Sequence, residues 1–312
     1  MSDGCTLESR SVEGGEVLVL TLRQASRAVV VLDSGLIEEV GGLLDEAAAR
    51  VAGGGVVGFV LASDSRVFVA GANLAELSEL DDPAAEAYLR RGSEVFEKIS
   101  GLGVRTVGAV TGAALGGGLE IAMHCDVLVG MEPVARADGT VKTYQVGLPE
   151  AGLGLCPGWG GTQMLGARVR GERVGDAIGA MIAGRAFSFE EAVEIGLIDE
   201  VVGGGREATL ERAVEVAGGD GDAVGVRTVG DEPVHIGLGD ARGVVAGAVA
   251  ARRGDWTEDE AGAAIVECLE VGLRDGYRAG LEAERGHLVR LRHTEAARAR
   301  LAAFFDRSSA KA

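Results

Sequence analysis

Short runs of consecutive apolar residues alternate with longer stretches in which apolar positions recur every three or four residues. Val17-Leu-Val-Leu-Thr-Leu22, Ala28 to Leu32 and Val56 to Leu61 read as strands. Between Ser34 and Val51, the positions Leu36, Val40, Leu43, Leu44 and Ala47 fall at helical spacing, and Ala84 to Ile99 predicts a second helix. Val107 to Val110 predicts a strand running into a turn at Gly116–Gly118, and Asp126 to Val129 predicts another. Strands alternating with helices over about 200 residues predict an α/β fold.

Beyond these, Val134 to Tyr144 carries Asp138-Gly139 between two short runs, a hairpin signature. Residues 203–225 are rich in Gly, Asp and Glu and read as a linker or loosely packed excursion. From Glu258 to Phe305 the chain is rich in Ala, Leu, Arg and Glu with few breakers, which predicts two or more helices. The expected organisation is a core over 1–202, a Gly/Asp-rich linker or excursion over 203–257, and a helical region over 258–312.

Composition narrows the function classes. The 312 residues are 47% hydrophobic but only 4% aromatic, with 51 glycines, so close packing of helices on sheet should matter more than aromatic cores. A net charge of −18 argues against a nucleic-acid surface, which needs clustered Lys and Arg. One anionic small ligand needs only a local basic patch. Cys5, Cys125, Cys156 and Cys268 show no CxxC spacing and the four histidines no HExxH, so no metal site is expected. The start Met-Ser-Asp-Gly-Cys is neither a basic nor an apolar leader, and no apolar run approaches a membrane span. The expectation is a soluble, reduced, cytoplasmic protein without membrane contact. No Gly-Lys supports a Walker loop and no GxSxG a nucleophile elbow; the Gly53, Gly55, Gly58 spacing leads into a strand instead of following one.

Thr111-Gly-Ala-Ala-Leu-Gly-Gly-Gly-Leu-Glu120 remains the most informative stretch. Three glycines end at a predicted helix start, with a carboxylate one turn inside it. Leu148-Pro-Glu150 then precedes the Gly- and Pro-rich run Gly152 to Gly161. Glycines let a ligand approach the backbone and leave N–H groups free for an oxyanion, while two glutamates can supply an acid and a base. That combination suits chemistry at a carbonyl.

Together with Phe68-x-Ala70-Gly71-Ala72-Asn73, these stretches resemble the enoyl-CoA hydratase/isomerase (crotonase) superfamily. The match takes in Gly112-x-x-x-Gly116-Gly-Gly-x-Glu120 with Cys125-Asp126, and Leu148-Pro-Glu150-x-x-x-Gly154-x-x-Pro157-Gly158-x-Gly160-Gly161-Thr162-Gln163. It continues through Ile182-Ala-Gly184-Arg185 with Ala192 and Gly196-Leu-Ile-Asp199, in register over roughly residues 15–202. The resemblance implies a crotonase-like spiral of ββα repeats, a homotrimer or hexamer, and acyl-CoA thioesters as substrates, with CoA part of the substrate and no separate cofactor.

By the same resemblance, the amides of Ala72 and Gly117 are the oxyanion donors, and Arg66, Ala70, Gly71 and Gly116 contact the substrate. Glu120 positions and deprotonates water attacking C3, and Glu150 protonates C2. Members that keep only the second carboxylate tend to be double-bond isomerases, so the presence of both favours hydration. The alternatives are an enoyl-CoA isomerase, another crotonase-type acyl-CoA reaction, and a non-catalytic acyl-CoA-binding paralogue. His124 and Cys125 are expected to be packed residues, and Trp159 a core or interface residue. The segment from Asp126 to Glu150 is longer than in simple hydratases. The stretch from Gly280-Leu-Glu-Ala-Glu284 to Phe305 resembles the tail of the hydratase half of multifunctional fatty-acid oxidation enzymes, which makes a hydroxyacyl-CoA dehydrogenase a candidate partner.

Overall fold

The computed structural model describes residues 4–134, 139–219 and 232–309. In chain order the strands are β1 (Thr6–Val12), β2 (Gly15–Leu22), β3 (Val56–Ser63), β4 (Arg105–Val110), β5 (Ala114–Leu115), β6 (Val127–Met131), β7 (Gln145–Gly147), β8 (Phe187–Ser188) and β9 (Glu200–Val202). The helices are α1 (Ser34–Ala52), α2 (Leu74–Glu79), α3 (Asp82–Ser100), α4 (Gly117–Met123), α5 (Gly161–Arg168), α6 (Val174–Ile182), α7 (Phe189–Glu194) and α8 (Gly205–Ala217). They continue with α9 (Gly239–Trp256), α10 (Glu260–Asp275), α11 (Tyr277–Leu291) and α12 (Glu295–Ser309), and single 3-10 turns stand at Glu150–Leu153 and Gly171–Arg173. The chain divides into two compact units: 1–73 with 91–146 and 187–234, and 74–90 with 147–186 and 235–312.

The first unit is built on a six-stranded sheet of order β1-β2-β3-β4-β6-β9, antiparallel at β1/β2 and parallel elsewhere. Its inner strands are buried on both faces, which is why they read as unbroken apolar runs and not as alternation. One face presents Val17, Val19, Val60, Ala62, Val107, Ala109, Val127 and Val129 to Ala213, Val216 and Ala217 of α8. Gly58 lets that helix touch the sheet, since a Cβ there would lie 2.2 Å from the Ala217 carbonyl oxygen. The glycine spacing at 53–58 therefore serves helix–sheet packing. A second sheet of order β5-β7-β8 holds the segment before α4.

The helix predicted from Ser34 forms as α1, capped by Asp33, whose carboxylate accepts from the Leu36 amide at 2.8 Å. Gly42 sits in α1 with open space where a Cβ would be. Gly42→Ala should therefore raise stability by about 0.5–1 kcal/mol, read as a higher denaturation midpoint without loss of activity.

Two of these expectations meet a different outcome. Ala28–Leu32 does not become a full strand: Leu32 makes a single bridge to Ala72, and Val30 and Leu32 exchange backbone bonds with the 70–73 segment. The stretch read as a linker or excursion over 203–257 contains α8 and α9. The Asp138-Gly139 hairpin falls partly on residues 135–138, which lie outside the described residues. Beside it, the Tyr144 hydroxyl donates to the carbonyls of Met131 at 2.7 Å and Val110 at 3.2 Å.

In the second unit, α10 and α11 meet at Gly276, and α5 packs against both. Gln163, fully buried, fills the space left by Gly272 of α10 and Gly280 of α11, where any Cβ would collide with its side chain. Its amide nitrogen donates to the Cys268 carbonyl at 3.0 Å and Thr162 Oγ1 at 2.7 Å. The Thr162-Gln163 pair thus fastens the C-terminal helices to α5. No helix among the described residues is long and apolar enough to cross a membrane.

Candidate active site

Ala72, Gly117, Glu120 and Arg66 belong to the first unit, Glu150 to the second. In the first, Ala70 and Gly71 lie between the 30–32 segment and β5: Ala70 N donates to Val30 O, Leu32 N to Gly71 O, and Leu115 N to Val69 O. Gly71 adopts φ +117°, a conformation open to glycine, and a Cβ on it would lie 3.0 Å from Leu115 O and 4.0 Å from Gly117 N. The 70–72 segment and the start of α4 are therefore in contact. Gly116, at φ +53°, turns the chain into that helix.

Gly118 makes the closest approach, with its Cβ position 2.3 Å from the Val69 carbonyl oxygen. The amides of Ala72 and Gly117 donate to no other backbone group among the described residues, as expected for Gly117 at a helix start. Glu120 lies in the first turn of α4 and is only 1% exposed. The geometry brings together two available amides and one buried carboxylate.

Arg66 is exposed and lines a cleft of about 320 Å³ with Arg23 and Arg27. Arg23 pairs with Asp64, and Arg27 lies 3.6 Å from Asp33. On a strongly acidic protein this is a local basic patch suited to phosphate. His124 is fully buried, beside Ser100 and edge-on to Phe96, and Cys125 is buried and in no disulfide. Trp159 is buried, donates to Leu89 O at 2.9 Å and meets Tyr88 edge-on.

In the second unit Glu150 opens the 3-10 turn that ends at Gly154. Arg300 of α12 donates to Ala151 O at 2.8 Å, and Gly184 packs directly on the Gly152 backbone. The residue keeps partial exposure, yet its Oε2 is buried without a hydrogen-bond partner. Burial, and then the charge of Glu284, push the Glu150 carboxyl up to about 8.

Glu284 was not singled out from sequence. Wholly buried on α11, it accepts from Gly160 N at 2.6 Å, Thr162 N at 2.8 Å and Thr162 Oγ1 at 2.5 Å, capping α5. Burial pushes its carboxyl up too, but those donors oppose the shift. We assign the charge to Glu284 and the proton to Glu150, because one carboxylate has three donors and the other has a bare oxygen. The only sequence signal was the amide-rich Gly160-Gly-Thr162 run, which needs an acceptor but does not say that it lies 122 residues downstream.

The same unit holds a cleft of about 450 Å³ lined by Leu74, Leu77, Leu155, Leu301 and Phe305, with Arg298 also lining it. Among the described residues no group of His, Cys, Asp and Glu is placed to hold a metal ion.

The described residues form a two-sheet α/β core followed by C-terminal helices, with Gly117 and Glu150 at glycine-rich turns. Residues 14–218 match the family described as enoyl-CoA hydratase/isomerase, and the chain belongs to that family. The alpha subunit of the fatty acid oxidation complex from Shewanella sp. (strain MR-4) is 33% identical over 259 residues, which is 81% of this chain and 35% of that protein. The equivalent subunit from Idiomarina loihiensis is 32% identical over 265 residues, 81% of this chain and 34% of that one. The chain thus spans about a third of the length of these curated relatives. A solved enoyl-CoA hydratase from Mycobacterium avium aligns over 98% of both chains with TM-score 0.62 at 20% identity. One from Bacillus anthracis aligns over 97% of this chain and 96% of its own with TM-score 0.57 at 23% identity. The fold is the crotonase type.

Proposed function

We propose that this chain is an enoyl-CoA hydratase that adds water across the 2,3 double bond of a 2-enoyl-CoA. The observation that carries the reading is a buried carboxylate, Glu120, on the same short helix as the available Gly117 amide and three residues from it. Attack of water at C3 sends charge onto the thioester oxygen, where the amides of Ala72 and Gly117 would stabilise it. Glu120 would take the proton from water. Glu150, protonated at neutral pH, would deliver one to C2, and both return to their starting states through exchange with solvent. Hydration transfers no electrons, so the proposed reaction calls for no redox cofactor, and the two amides supply the polarisation of the carbonyl.

The basic cleft at Arg23, Arg27 and Arg66 supports binding of the CoA phosphates, with Ala70, Gly71 and Gly116 lining the thioester. The apolar cleft beside α12 supports a hydrocarbon acyl chain. The relatives' name, fatty acid oxidation complex subunit alpha, supports fatty acyl groups, and the resemblance of the 280–305 stretch makes a hydroxyacyl-CoA dehydrogenase the candidate that consumes the product. By the resemblance the assembly would be a homotrimer or hexamer, and light scattering on the purified protein tests it.

The second reading is a double-bond isomerase, which a protonatable Glu150 could serve without Glu120. Glu120→Gln separates the two. A hydratase should lose about 10²–10⁴-fold in turnover of crotonyl-CoA. An isomerase should keep most of its turnover of a 3-enoyl-CoA in the same variant, and that result would overturn the hydratase assignment.

A further inference from the structure

The first turn of α8 carries Arg206, a half-buried arginine whose hydrogen bonds go to neutral oxygens of two different loops. Its Nη1 donates to Ser63 O at 2.5 Å and to Thr111 Oγ1 at 3.0 Å, and its Nη2 donates to Ser65 O. Ser63 ends β3 and Thr111 directly follows β4, so one guanidinium spans the carboxyl ends of two adjacent parallel strands. The loop leaving β3 leads to Ala72; the loop leaving β4 leads to Gly117.

These two loops have little room to slide independently. Phe68 N donates to Ala113 O at 2.9 Å and Leu115 N to Val69 O at 3.2 Å, and a Cβ at Gly112 would lie 2.9 Å from Arg66 O. Arg206 fixes them at their roots, where each leaves the sheet. A planar guanidinium can hold both carbonyls and the hydroxyl at set angles, which the point charge of lysine cannot. Ser63 and Thr111 are themselves buried, so losing the guanidinium leaves acceptors that water reaches poorly.

We propose that Arg206 is a positioning residue that sets the spacing between the Ala72 and Gly117 amides, and through it the polarisation of the bound thioester. The proposal rests on the oxyanion reading above. It extends that reading to a side chain on α8, outside the loops that carry the two donors and in contact with neither amide.

The test reads the carbonyl itself. Butanoyl-CoA labelled with ¹³C at C1 has no double bond to hydrate, and infrared difference spectra report how far its carbonyl stretch falls on binding. Wild type should lower the stretch. Arg206→Met should return most of that shift, Arg206→Lys should lie between, and kcat for crotonyl-CoA should fall by about 10–100-fold with KM changed far less, as expected for a misplacement near 1 Å. Thr111→Val removes one of the three contacts and should give a partial loss of the shift, which decides the matter if Arg206→Met does not fold. A full wild-type shift in folded Arg206→Met, or in Thr111→Val and Arg206→Lys together, would overturn the positioning role. No shift in wild type would instead remove the oxyanion reading, and this proposal with it.

Discussion

Glu150→Gln is expected to abolish hydration of crotonyl-CoA, lowering kcat by about 10²–10⁴-fold, while making the protein more heat-stable at pH 8. The two effects share one cause. Burial and the neighbouring Glu284 charge raise the Glu150 carboxyl from an ordinary 4.5 to about 8. Below 4.5 the group is protonated in both folded and unfolded chains and costs nothing. Between 4.5 and 8 the unfolded chain releases a proton that the folded chain keeps, so stability falls as pH rises through that window.

Glutamine has the shape of the protonated acid and escapes this loss. The Tm of Glu150→Gln should therefore match wild type near pH 4.5 and exceed it progressively up to pH 8. In wild type, kcat for hydration should decline as pH rises through about 8, because the proton donor is lost. Thermal melts and rate profiles over pH 4.5–9 check both limbs. A variant that is inactive yet less stable at pH 8 would contradict the assignment of the proton to Glu150.

Gly118→Ala carries the second large effect, and its sign runs against helix propensity. Alanine in place of glycine inside a helix normally stabilises by up to about 1 kcal/mol. Here the added Cβ would stand 2.3 Å from the Val69 carbonyl oxygen and 2.8 Å from Val69 Cβ. Since the obstacle is mostly backbone, α4 and the 68–72 segment must separate. That movement parts the Gly117 and Ala72 amides. We expect a stability loss of about 1–3 kcal/mol and a rate loss of about 10²–10³-fold. Gly42→Ala makes the same chemical change on an open helix face and serves as the control. Equal activity in the two variants would show that the close approach at Gly118 does not govern the reaction.

Much of this architecture was legible because it rests on local signals. The inner strands of the main sheet are apolar on both faces, and α1 and α3 carry clear helical spacing, so each could be read without its neighbours. The glycine triplet and Glu120 were legible because a turn into a helix constrains a few consecutive residues. β1 was not, since Thr6 to Val12 is an edge strand with mostly exposed, polar side chains. The 28–32 run misled for the opposite reason: it is apolar like a strand, but it pairs only with the short 70–73 segment. Glu284 and Arg206 escaped because their meaning lies in partners 122 and 95 or more residues away, and nothing beside them in sequence announces those partners. The glycines of α10 and α11 became intelligible only once Gln163 was seen between them.

In the proposed mechanism this chain hydrates 2-enoyl-CoA thioesters with two glutamates. The most direct test is the ultraviolet absorbance of crotonyl-CoA mixed with the purified protein at pH 7, with Glu120→Gln and Glu150→Gln alongside. Wild type should lose the conjugated-thioester band and form 3-hydroxybutanoyl-CoA, with neither variant matching it. An unchanged band in wild type, with CoA thioester bound, would contradict it.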